Sequence, residues 1–135
     1  MAEKYTGTGI CRDLKYVDIE FQPKVLAVLA DVNDALAKKG LSAKIRLAIF
    51  ETQRSEARQK ILFRDGYSKT LKSKHMESPC KATDVVFQRY TSKTGKWEWY
   101  WPALDSWEWD LVDSSAKAHN IDRIAWDAPH LEMHK

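Results

Sequence analysis

Between residues 21 and 39 the apolar positions Val25, Leu29, Val32 and Leu36 recur every three or four residues, which gathers them on one stripe of a helix. Pro23 stands near the start of that stretch and Gly40 directly after it, where helices open and stop. The period then changes. In Leu41–Glu51, Ile45, Leu47 and Ile49 alternate with other residues, as in a strand with one buried face. Ser55 stands as the cap of a second helix, Glu56–Arg64, which stops before Gly66. Residues 65–79 carry Gly, Ser and Lys without a period and are expected to form a polar loop. Ala82–Gln88 reads as a strand, Thr91–Gly95 as a turn and Lys96–Trp101 as the returning arm of a hairpin. A third helix is expected over Leu104–His119, with Leu104, Trp107, Leu111 and Ala118 on its apolar face. Two short β segments, Ile121–Trp126 and His130–Met133, are expected on either side of Pro129, and residues 1–20 are expected to be irregular.

This order of elements predicts an α+β fold, a small antiparallel sheet with flanking helices. The chain has 135 residues and no repeat or linker, which fits a single domain over 1–135 with a core of its own. A net charge of +3 is compatible with an anionic polymer as partner but gives no reason to expect nucleic acid. No stretch reaches the roughly 18 apolar residues of a membrane span, and the N-terminus has no apolar signal region. Synthesis in the cytoplasm without a signal peptide is therefore expected. Cys11 and Cys80 are too few for a disulfide scaffold and form no CxxC, so both are expected as thiols. Five of the six tryptophans fall between Trp97 and Trp109, where core and hairpin packing is expected rather than ligand stacking.

Catalytic zinc is held by about three protein ligands and keeps one position open. A further carboxylate must move protons. Two segments offer these groups. In the first, His75 ends the polar loop and Asp84 stands early in a strand. In the second, Asp127 and His130 are three residues apart across Pro129. Residue types alone fit surface histidines and a capping aspartate better than a metal site.

The motifs carry more. Ser73-Lys-His75 and Ala82-Thr-Asp84, followed by Asp127-Ala-Pro-His130-Leu-Glu132, resemble the zinc D,D-peptidase family of bacterial cell-wall enzymes. The segment Thr52-Gln-Arg54-Ser-Glu-Ala-Arg-Gln59 is similar to that family's arginine-serine segment. The resemblance runs from about Leu47 to the C-terminus. It implies a hedgehog/D,D-peptidase-like fold and Zn²⁺ held by His75, Asp84 and His130, with Asp127 as base and then acid. Arg54 would hold the substrate or the developing oxyanion, and Ser73 would hydrogen-bond the substrate. The implied substrate is the stem peptide of peptidoglycan. Asp rather than Glu at position 127 favours the L-alanyl-D-glutamate endopeptidases of phage endolysins. A D-Ala-D-Ala carboxypeptidase comes second. A wall-binding module without catalysis, or a hedgehog-like zinc fold that binds proteins, are the other readings. A monomer is expected, reaching the wall after holin-type release.

Two departures from the family pattern stand out. His75 and Asp84 are nine residues apart, two more than usual, and Cys80 stands where glycine is expected. An insertion within Met76–Pro79 accounts for the spacing. The segment before the last motif is shortened to Asp122–Trp126. Cys80 as a fourth ligand and Glu132 as the base stay open as alternatives. Glu132 is expected to support a ligand or face solvent, and neither His119 nor His134 is expected to be a ligand.

Overall fold

A computed structural model describes residues 3–134 of the chain; Met1 and Ala2, the first two of the expected irregular segment, lie outside the described residues. The helical stripe forms as the spacing requires. In α1 (Gln22–Lys38), Val25, Val28, Val32 and Leu36 are buried, with Leu29 packed against them, and Gly40 takes a φ of +74° just past the end. Strand β1 (Ile45–Glu51) starts later than the alternation suggests. Leu41–Lys44 is instead a turn in which the Leu41 carbonyl accepts from Lys44 N (2.8 Å) and Ile45 N (2.9 Å). Helix α2 (Glu56–Arg64) begins at Ser55, whose side chain accepts from Arg58 N. After a loop with one short 3-10 turn at Lys74–Met76 come β2 (Ala82–Thr91) and β3 (Lys96–Tyr100), the two arms of the hairpin. Helix α3 (Trp107–Ala118), β4 (Ile121–Ile124) and β5 (Asp127–Met133) complete the chain.

The five strands form one antiparallel sheet in the order β1-β2-β5-β4, with β3 also paired to β2. The fold is the expected α+β class. Strand β2 is its axis, with β1 along one edge and β5 and β3 sharing the other. Side chains alternate between the two faces of a strand. Val85, Phe87 and Leu131 join α1 and α3 in the core, with the Phe87 and Trp109 rings 5.1 Å apart, while Asp84 and His130 turn to the other face.

Two expectations need correction. The buried face of α3 is Glu108, Trp109, Val112, Ser115 and Ala116; of the expected face, Leu104, Trp107 and Ala118 are exposed and only Leu111 packs against the core. Leu104 belongs to the turn before the cap at Ser106, and the helix is turned so that Trp109, not Trp107, reaches the core and donates its indole N–H to the Pro102 carbonyl (3.0 Å). Pro129, expected to separate two β segments, lies inside β5. Proline has no N–H for a ladder, and it is tolerated where the ladder is broken. The β4–β5 register slips between Arg123 and Ile124, and the pairing with β2 begins only at His130. The Arg123 guanidinium fills the gap by donating to the Ala128 and His130 carbonyls.

Candidate metal centre

Sheet register brings the first two groups together. Asp84 on β2 is directly opposite His130 on β5. On its other side Asp84 is opposite Glu51, because β1 carries a bulge between Ile49 and Glu51 that inserts Phe50. The third group, His75, comes from a loop and is held by the β1–α2 linker. Its Nδ1 lies 2.6 Å from the Thr52 carbonyl, and its own carbonyl accepts from Arg54 N (2.8 Å). Thr52 is fixed from behind: its N–H and hydroxyl both donate to the Cys11 carbonyl, at 2.7 and 3.2 Å. The Ser73 hydroxyl accepts from His75 N (3.2 Å).

With both imidazoles neutral, as a metal ion would require, these bonds decide which ring nitrogens are bare. A carbonyl only accepts, so His75 Nδ1 carries the proton and Nε2 presents a lone pair. His130 Nε2 lies 3.1 Å from Glu132 Oε1, so it donates there and Nδ1 is bare. The two bare nitrogens stand 3.3 Å apart, and Asp84 Oδ1 stands 3.3 Å from one and 3.4 Å from the other. Oδ1 is sealed from solvent and finds no donor. Three acceptors converging on one buried point repel one another unless a metal ion or a ring proton lies among them. His75, Asp84 and His130 offer ligand atoms within 4.8 Å of one another, and the donor set fits a metal ion.

The surroundings hold this arrangement. Glu132 also pairs with Lys74 (3.2 Å). Asp84 Oδ2 accepts from Arg54 Nη2 (3.2 Å), while Arg54 Nε and Nη1 bond Glu51 (3.0 Å) and Gln59 (3.3 Å). Gln59 is fully buried and donates onward to Ser68 and the Thr70 carbonyl, so it ties Arg54 to the polar loop. Burial works against an ionised Asp84, but His75, His130 and Arg54 outweigh it and hold the carboxyl well below the usual range. Burial likewise opposes charge on His130, yet Asp84 and Glu132 raise its pKa.

Asp127 differs from the other carboxylates. It is exposed at the first position of β5, and its carboxylate makes no hydrogen bond among the described residues. The surrounding protein, and then the Asp84 charge, push its pKa upward. It lies where two clefts meet. The larger, about 810 Å³, is lined by His75, His130, Ser73, Arg54 and the rim residue Trp126. The other, about 530 Å³, is lined by Asp84, Arg54, Arg58, Phe50 and Trp101, and Asp127 borders both. The expected packing role suits Trp109, and Trp99 lies 5.1 Å from Phe50 in an edge contact. Trp101 and Trp126, at 52% and 81% exposure, stand open beside the site.

Cys80 is not a fourth ligand. It is completely buried, its thiol faces the Ala82 carbonyl, and burial pushes its pKa up to about 12. Both cysteines are free thiols. His119 pairs with Asp31 (2.9 Å) and His134 with Asp122 (2.8 Å), away from the centre. Residues 76–79 fold back on the N-terminal side, where the Glu77 carbonyl accepts from Gln53 Nε2 (2.8 Å), so the longer spacing leaves His75 beside Asp84. Residue types and motifs assign no individual role to Thr52, Glu51, Lys74 or Arg58. Thr52 acts through its carbonyl, which no residue type signals. Glu51 was detectable as an acid three and seven residues before two arginines.

No family model matches the sequence, and no curated protein matches it. Among solved structures the chain is similar to the L-Ala D-Glu endopeptidase ChiX of Serratia marcescens, with 24% identity and a TM-score of 0.54 over 98% of this chain and 92% of that one. The likeness is one of fold, and it spans nearly the whole of both chains.

Proposed function

We propose that this chain is a zinc peptidase of the cell-wall D,D-peptidase kind, cutting peptidoglycan stem peptides at the L-alanyl-D-glutamate bond. One observation carries the reading: the outer ring nitrogens of His75 and His130 are committed to Thr52 and Glu132, so both inner lone pairs turn on Asp84 Oδ1. His75, Asp84 and His130 would hold the ion, and two imidazoles with one carboxylate suit zinc with a position left open. Bound zinc would polarise the scissile carbonyl and make water nucleophilic near neutral pH.

The remaining steps belong to the chain. Asp127, without a hydrogen-bond partner among the described residues and raised in pKa, takes a proton from the attacking water and returns it to the departing amine. Arg54 keeps Asp84 ionised and aligned, and its spare N–H groups border both clefts, where a peptide carbonyl or oxyanion would lie. The Ser73 hydroxyl accepts from His75 N and keeps its own proton for the substrate.

Clefts on both sides of the centre suit a chain running past it, which favours an endopeptidase over a D-Ala-D-Ala carboxypeptidase. The shared fold with a protein described as an L-Ala D-Glu endopeptidase supports the same choice. No helix among the described residues is long and apolar enough to cross a membrane, and a role as a phage-type endolysin, reaching the wall through a holin-type pore, is part of the proposal. Digestion of purified peptidoglycan with zinc-loaded protein, read by mass spectrometry, tests it. Fragments beginning with D-Glu are expected. Release of D-Ala alone moves the assignment to the carboxypeptidase, and no product from fully zinc-loaded protein leaves a binding module.

Glu132 is read as the support of His130 rather than as the base, since both His130 and Lys74 occupy its carboxylate. Glu132→Gln is therefore expected to weaken zinc binding by roughly 10- to 100-fold, the range for groups behind a ligand, while turnover at saturating zinc changes little. Titration with a competing chelator, followed by assay in excess zinc, separates the two effects.

A further inference from the structure

We propose that Arg58 receives a free carboxylate of the substrate beside the scissile bond, so that the protein distinguishes a carboxylate there from a carboxamide. The inference rests on the peptidase reading above. Glu51 is 2% exposed and gripped by two guanidinium groups, Arg54 Nε on Oε1 (3.0 Å) and Arg58 Nε on Oε2 (3.1 Å). Arg54 has an acceptor on each of its three nitrogens. Arg58 is fixed only through Nε, and its two terminal nitrogens have no hydrogen-bond partner among the described residues. Its side chain is 16% exposed and lines the smaller cleft with Asp84 and Asp127. A guanidinium held from behind, with its outer fork unoccupied, is preset for a two-point grip on a carboxylate.

The charge balance agrees. Glu51 is shared by two arginines, and the other acid of that cleft away from the centre, Asp65, is paired with Arg64 (3.0 Å). Phe50 and Trp101 on the same cleft lower the local polarity and strengthen such a grip. A glutamate joined to the next residue through its side chain keeps its α-carboxylate free, directly beside the amide that links it to the preceding alanine. Amidation of that carboxylate removes the charge and half of the acceptors.

Two synthetic peptides, identical except for a carboxylate or a carboxamide at that position, form the test. The unsubstituted protein is expected to favour the carboxylate by roughly 10- to 100-fold in kcat/KM, mostly through KM, as fits hydrogen bonds to a charged group. Arg58→Gln is expected to bring the ratio towards one, and Arg58→Lys to keep part of it. Retention of the full ratio in Arg58→Gln overturns the inference. Calorimetric binding of both peptides to zinc-loaded Asp127→Asn protein provides a second reading without turnover. A carboxylate preference in binding that Arg58→Gln abolishes, with no cleavage by the unsubstituted protein, refutes the proposed reaction and upholds the role of Arg58. Equal binding of the two peptides overturns that role whatever is cleaved. Circular dichroism and zinc content, with Arg58→Lys as the charge-preserving control, show whether Arg58→Gln has kept its fold.

Discussion

Asp127→Asn is expected to fold and bind zinc normally and to cleave peptidoglycan at least about a hundredfold more slowly, since a positioned base contributes typically about 10²- to 10⁴-fold. The exchange keeps the size of the side chain and removes its capacity to take a proton. Nothing else should fail with it, because the Asp127 carboxylate is not among the converging ligand atoms and makes no hydrogen bond among the described residues. Its exposure at the meeting of the two clefts and its raised pKa are what a group that both accepts and returns a proton needs. Turnover of purified peptidoglycan, with zinc measured on the same samples, gives the answer. If Asp127→Asn stays active while Glu132→Gln is dead, the two roles are exchanged. If both stay active, the chain does not work by this mechanism.

His75→Ala and His130→Ala are each expected to lose metal and activity together. Purified unsubstituted protein should carry on the order of one zinc per chain, and chelation should abolish its activity. Each alanine removes one of the two imidazoles and leaves Asp84 with a single ring nitrogen beside it. The buried Asp84 carboxylate keeps Arg54 as partner, so the fold should outlast the metal. Elemental analysis beside circular dichroism distinguishes lost metal from lost structure. Tight zinc retention by either variant would mean that the ligand set is wrong.

The pattern of the chain made most elements legible: α1, α2 and the β2–β3 hairpin follow directly from period, cap and turn. Where it misled, a long-range term outweighed a local one. Periodicity put Leu104 and Trp107 on the buried face of α3, but burial of Trp109 against Phe87 sets the rotation of that helix. Proline signalled a break at 129, yet Arg123 supplies the bonds that let β5 run through it. The motifs named His75, Asp84 and His130, and the structure brings these three together. Motifs did not give the carbonyl of Thr52, because a backbone acceptor leaves no mark in residue type. Nor did they give the bulge at Phe50, which sets Glu51 across from Asp84 and so positions Arg54 and Arg58.

Strand β5 is the last element of the described chain but an interior member of the sheet, lying between β2 and β4. Synthesis therefore runs out of step with assembly. When β4 has emerged, its partner has not, and β2 still has half of one edge unpaired. Insertion of β5 joins the halves and delivers His130 in the same event, so the three converging groups meet only once this interior strand is in place. A chain in which β5 failed to pair would lose the rung that unites the sheet along with its second imidazole.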